Sequence, residues 1–147
     1  MIDVKIKRLT PTATIPTYGS IKAAGMDLYA DLEGKDFICI SPYETVKIGT
    51  GWGFDLPEGY CAIILARSGM ATKQGLAPAN KIGLCDEDYK GNYIVPLHNH
   101  STENQVVRQG DRIAQLMFVP YVQANLIEVD KLTETERGEG GFGSTGK

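Results

Sequence analysis

Residues 80–99 read NKIGLCDEDYKGNYIVPLHN, and this stretch sets the expected fold. Lys81 to Cys85 and Asn92 to Asn99 are β-forming runs, while Asp86 to Gly91 between them is polar and ends in glycine. The segment predicts a strand, a turn and a return strand, a β-hairpin with a carboxylate at its mouth. The same rhythm continues outward in both directions. Before it lie Ile2, Val4 and Ile6 in alternation with charged residues, then Phe37–Ile40, Thr45–Ile48, Trp52–Leu56 and Tyr60–Leu65. After it come Gln105–Val107, Arg112–Val119 and Val122–Val129. Breakers such as Ser41-Pro42, Pro57-Glu58-Gly59 and Gln109-Gly110-Asp111 separate these runs. Only Ser68–Lys73 has helical composition, and Gly75 closes it. Many short strands at this spacing predict an all-β barrel or sandwich.

The whole chain fits that reading. Its 147 residues suffice for one domain, and 17 Gly with 7 Pro disfavour long helices. With 42% hydrophobic and 22% charged residues it has an ordinary globular mix. A net charge of −3 gives no support to a nucleic-acid-coating surface. No run approaches the roughly 18 apolar residues of a membrane helix, and Met1–Arg8 lacks a secretory core. Cys39, Cys61 and Cys85 are odd in number and widely spaced, suiting neither a disulfide framework nor a zinc knuckle. A reducing cytoplasm is the expected compartment.

Several segments carry candidate chemistry. The end of the chain, RGEGGFGSTGK at 137–147, has five glycines and one aromatic, too little to fold alone. It matches G-x-G-x-x-G and G-x-x-x-x-G-K only superficially, because neither the flanking strand and helix nor the final hydroxyl residue is present. Exposed glycine amides, the hydroxyls of Ser144 and Thr145, and the charges of Arg137 and Lys147 suit an anion. Phe142 is free to stack on a flat ligand. Asp27 follows small residues at the start of a strand-like run, where a carboxylate suits a metal-bound water or a turn. Arg67-Ser68-Gly69 opens the helical piece, and anion binding and N-capping by Ser68 both remain open. Gln115 stands in an apolar run and needs a partner. His98 and His100 share a strand face without a third ligand and read as surface histidines. Pro96 inside a strand marks an edge or a bulge.

Five segments, in this order and spacing, resemble the motifs of the trimeric deoxyuridine triphosphatases: AGMDLYA at 24–30, ARSGM at 66–70, GLCDEDYKGN at 83–92, GDRIAQ at 110–115 and RGEGGFGSTG at 137–146. The resemblance implies a jelly-roll-like β subunit in a homotrimer with shared active sites. It divides the chain into a β-barrel domain, 1–136, and a C-terminal lid, 137–147. The implied reaction is hydrolysis of dUTP to dUMP and pyrophosphate, which limits uracil incorporation into DNA and supplies dUMP for thymidylate synthesis.

By the same resemblance, Asp86 is the general base that activates a water against the α-phosphorus. Mg²⁺ is held mainly by the triphosphate, with Asp27 contacting it through water. Arg67, Ser68, Gly69 and Gln115 match phosphate-contacting positions, Arg137, Ser144 and Thr145 match the clasp on the terminal phosphate, and Gly143 is a further substrate-binding position. Asn80 and the backbone of Leu84, Cys85 and Ile94 would read uracil, with Phe142 stacking over the base. Tyr89 matches the aromatic beneath the deoxyribose. The chain departs from the family pattern at Ala66, where Pro is frequent, and at Cys85, where Ile or Val is usual. Two alternatives share the scaffold: a dCTP deaminase, and a dUTP-binding regulatory protein.

Overall fold

A computed structural model describes residues 1–141. Among them lie twelve strands and one short helix. They run β1 (Lys5–Arg8), β2 (Thr17–Tyr18), β3 (Met26–Tyr29), β4 (Phe37–Ile40), β5 (Thr45–Gly49), β6 (Trp52–Asp55), β7 (Tyr60–Leu65), α1 (Ser68–Lys73), β8 (Leu76–Pro78), β9 (Gly83–Cys85), β10 (Ile94–Asn99), β11 (Gln105–Arg108) and β12 (Arg112–Pro120). The ladders form sheets β1-β6, β5-β10-β8, β11-β4 and β2-β3-β12-β7-β9. Leu28, Ile40, Val95, Leu97, Val107 and Leu116 are fully buried between them, each contributing about 1.5–3 kcal/mol by leaving water. Phe54 packs on Tyr93 with ring centroids 4.3 Å apart. The all-β expectation holds.

The five-stranded sheet positions the functional residues. Gln115 of β12 lies in register with Asp27 of β3 on one side and Leu65 of β7 on the other. Cys85 of β9 pairs with Ala62, which places Asp86 beside the start of β7. Arg67 follows the far end of that strand. At about 3.3 Å per residue, the six steps from Cys61 to Arg67 span about 20 Å.

Five expectations need correction. The 80–99 segment is not a self-paired hairpin: β9 joins β7, whereas β10 lies between β5 and β8. Asp86–Gly91 therefore bridges two sheets. The flanking strands are also shorter than expected, because Lys81 sits in a turn at φ 64° and Asn92 uses its side chain to hold another turn. Val122–Val129 forms no strand. Val122, Leu126 and Ile127 are 94%, 91% and 76% exposed, without a strand of their own chain to pair with.

The first strand begins at Lys5 instead of Ile2, because its partner β6 ends at Asp55 and Pro57 follows. Pro96 lies in the middle strand of its sheet, in register with Lys47 and without a bulge. Its carbonyl accepts the Ala79 N–H at 2.7 Å where the β8 ladder runs out, so the missing N–H faces the only local edge. Tyr60–Leu65 and Ser68–Lys73 have the expected bounds. The short β2 and β8 were not anticipated; three residues ending in proline carry too little pattern to be read as a strand.

Candidate active site

Asp86 is exposed at the end of β9, on the rim of a cleft of about 640 Å³ lined also by Cys61, Leu84, Glu87, Asp88 and Tyr121. Its carbonyl accepts the Tyr89 N–H at 3.2 Å, closing the turn. Tyr89 Oη donates to the Asn92 carbonyl at 2.9 Å, and its ring stacks on Tyr93 at 5.9 Å. Gly91 makes this possible, since a Cβ there would lie 2.7 Å from the Tyr89 hydroxyl. Asn92 Oδ1 in turn accepts the N–H groups of Thr50 at 3.2 Å and Gly51 at 2.9 Å.

The positions that the resemblance assigns to uracil gather around β9. Leu84 and Asn80 are exposed, and Gly83 lets the Asn80 amide lie close, because a Cβ at 83 would stand 3.2 Å from Asn80 Nδ2. Ile94 is exposed at the start of β10. Cys85 is half-buried against the core; burial, with the Asp86 charge adding to it, pushes its thiol up to about 11. That thiol is neutral and inert near pH 7, as the small hydrophobe its position suggests.

The positions that the resemblance assigns to phosphate form a second group. Asp27 is buried on β3, and its carboxylate accepts Arg67 Nε at 2.8 Å and Arg112 Nη1 at 3.3 Å. Arg67 is thereby oriented at the N-cap of α1, in a cleft of about 320 Å³ with Gly69, Lys73, Asp111 and Arg112. Ser68 is the first helical residue, and no side chain caps the helix, so the capping role left open for Ser68 is not realised. Gln115 lies half-buried between Asp27 and Leu65. The two clefts share no lining residue. Within one chain, Asp86 and Arg67 are not brought together.

Arg137 is exposed, with Nε donating to the Gly140 carbonyl at 2.8 Å in a local turn. Phe142, Gly143, Ser144 and Thr145 lie outside the described residues. His98 accepts or donates with Thr45 Oγ1 at 2.8 Å and meets His100 edge-on at 4.4 Å, in keeping with paired surface histidines. Three residues were missed: Arg112, Glu87 and Asn92. Arg112 stood inside GDRIAQ, but nothing local announced its bond to a residue 85 positions away.

Comparison with known proteins agrees with this geometry. A match to the dUTPase family covers residues 11–146. The deoxyuridine 5'-triphosphate nucleotidohydrolase of Nautilia profundicola is 46% identical over 99% of this chain and 100% of its own length. That of Anaplasma marginale is 41% identical, with 99% of each chain covered. Among solved structures, the Staphylococcus bacteriophage 80alpha dUTPase with dUPNHPP has a TM-score of 0.85 at 26% identity, covering both chains completely. A dUTPase mutant from phage phi11 of S. aureus, reported with a structural Mg(II) ion, has the same fold at TM-score 0.81 and 21% identity, over 90% of this chain and 100% of its own. With four of the motifs placed on one jelly-roll-like scaffold and relatives matching along nearly its whole length, the chain belongs to the dUTPase family.

Proposed function

We propose that the protein hydrolyses dUTP to dUMP and pyrophosphate, limiting uracil incorporation into DNA and supplying dUMP for thymidylate synthesis. The observation that carries this reading is the family match along nearly the whole chain, with all five motifs in place. Asp86 orients and deprotonates the water that attacks the α-phosphorus in line, and pyrophosphate leaves. An aspartate carboxylate is intrinsically a weak base at neutral pH. Positioning and neutralisation of phosphate charge therefore supply most of the acceleration.

Asn80 and the backbone at Leu84, Cys85 and Ile94 read the uracil edge, and Tyr89 lies beneath the deoxyribose. Arg67, Ser68, Gly69 and Gln115 bind phosphate oxygens. Residues 137–147 act as a lid on the 1–136 domain. In that lid Phe142 stacks on the base, Arg137, Ser144 and Thr145 clasp the terminal phosphate, and Gly143 is a further substrate-binding position.

Mg²⁺ fits this donor set. No cluster of three His, Cys, Asp or Glu exists among the described residues, so the ion's ligands come from the triphosphate and water. Asp27, engaged by two guanidinium groups, keeps lone pairs for a water of that shell. When bound, the ion neutralises phosphate charge and holds the triphosphate in one conformation.

The separation of Asp86 and Arg67 along β7, about 20 Å by strand rise, supports sites shared between chains, and the family resemblance makes that assembly a homotrimer. A single α-phosphate reaches both only if they come from different chains. The exposed apolar residues Val122, Leu126, Ile127 and Leu132 support assembly as well. No described helix is long and apolar enough to cross a membrane.

Pyrophosphate release from each deoxynucleotide, with and without Mg²⁺, tests the reading. Release from dUTP alone, stimulated by Mg²⁺, is expected, and Asp86→Asn lowers kcat by about 10²–10⁴. Ammonia release from dCTP would instead identify a deaminase.

A further inference from the structure

Glu87 directly follows the proposed base and is the half-buried member of an acidic run whose other members, Asp86 and Asp88, are exposed. Its Oε2 accepts two hydrogen bonds, from the Gly59 N–H at 2.7 Å and from Tyr121 Oη at 2.9 Å. Tyr121 and Gly59 are themselves joined, Tyr121 N–H donating to the Gly59 carbonyl at 3.0 Å. The three residues close a ring. The main chain of Glu87 is held too, because Lys90 Nζ donates to its carbonyl at 2.8 Å while pairing with Asp55 at 2.7 Å. Gly59 belongs to the turn between β6 and β7, where φ is +78°. Tyr121 is the residue at which the chain leaves β12.

Asp86 thus stands between two fixed points. Cys85 before it is in the β9–β7 ladder, and Glu87 after it is tied to two other segments. A polar side chain on a surface turn has no need of two charge-assisted bonds to distant backbone and phenol groups. We infer that Glu87 is a positioning residue for dUTP hydrolysis: it fixes the Asp86 turn against Gly59 and Tyr121, so that the base keeps its aim on the attacking water. This rests on the dUTPase reading above. Aim matters in the transition state and not in substrate binding, and the side-chain hydrogen bonds of Glu87 among the described residues go to Gly59 and Tyr121, neither of which is a proposed uracil- or phosphate-reading residue, so its loss falls on kcat. A displacement near 1 Å costs up to about 10² in rate.

The test is steady-state pyrophosphate release from dUTP by the full chain and three variants, with melting followed by circular dichroism. Glu87→Ala is expected to lower kcat about tenfold or more with KM within about twofold. Glu87→Gln, which keeps an oxygen able to accept both bonds, returns kcat to within about threefold of the parent. Tyr121→Phe removes one hydroxyl from a side chain that is 37% exposed, and it falls between them. A parental kcat in Glu87→Ala, a loss confined to KM, or a Gln variant as slow as Ala overturns the inference. Should Glu87→Ala unfold, Tyr121→Phe decides: kcat reduced at parental KM supports the role, and parental kcat overturns it. A parent inactive on dUTP refutes the function itself, whereas an active parent with parental variants refutes only this role for Glu87.

Discussion

Residues 86–92 and residues 121–141 both lack regular structure, yet they are held in opposite ways. The first segment is tied by Glu87 to Gly59 and Tyr121, by Lys90 to Asp55, by Tyr89 to Asn92 and by Asn92 to Thr50 and Gly51. Beyond Tyr121 the bonds found among the described residues are local, such as Lys131–Glu134 and the Thr135–Gly138 turn. Leu126 and Leu132 there are 91% and 82% exposed. Irregular backbone is therefore no measure of freedom. The turn finds its order inside its own chain, while the C-terminal segment carries apolar side chains whose only remaining use is against another surface.

The sharpest way to break that contrast is to remove the proposed lid, residues 137–147. Ending the chain at residue 136 is expected to leave folding and trimer mass intact, measured by sedimentation, while turnover of dUTP falls about 10²-fold or more. Loss of the trimer would show that 137–147 contributes to assembly and not to closure. A smaller effect probes the tied segment. Tyr89→Ala is expected to relax selection against UTP by up to about 10², and selection against dCTP by less, read as kcat/KM for the three nucleotides. Equal relaxation would place the Tyr89 ring against the base as much as the sugar. The smallest effect concerns stability. Asn92→Ala strands the Gly51 N–H group, while the Thr50 N–H keeps the Tyr93 carbonyl at 3.0 Å, and is expected to cost about 1–3 kcal/mol in denaturant unfolding. No measurable cost would mean that water replaces the amide and the turn is less bound than its contacts suggest.

What the sequence disclosed follows the range of the interactions involved. β7 and α1 were legible to the residue, because an apolar run after the Pro57-Glu58-Gly59 breaker and a glycine stop are local signals. The 80–99 segment was legible as two strands but not as partners of β7 and of β5 with β8, since side-chain alternation says which face is buried and not which strand lies alongside. Val122–Val129 shows the converse, a strand-like pattern without a ladder. In the site, motif positions such as Arg67 and Asp86 stood out through their neighbours in sequence. Glu87 did not, because its partners lie 28 and 34 residues away and its own surroundings read as a solvated acidic turn.

Gly91 has one more consequence. The phenol of Tyr89 occupies the space where any other residue's Cβ would sit. With Tyr89 beneath the deoxyribose as proposed, acceptance of a ribonucleotide is open to a change that never meets the nucleotide: one added methyl at position 91 displaces the aromatic ring. On that proposal sugar choice is guarded from behind, by the residue with the least to offer chemically.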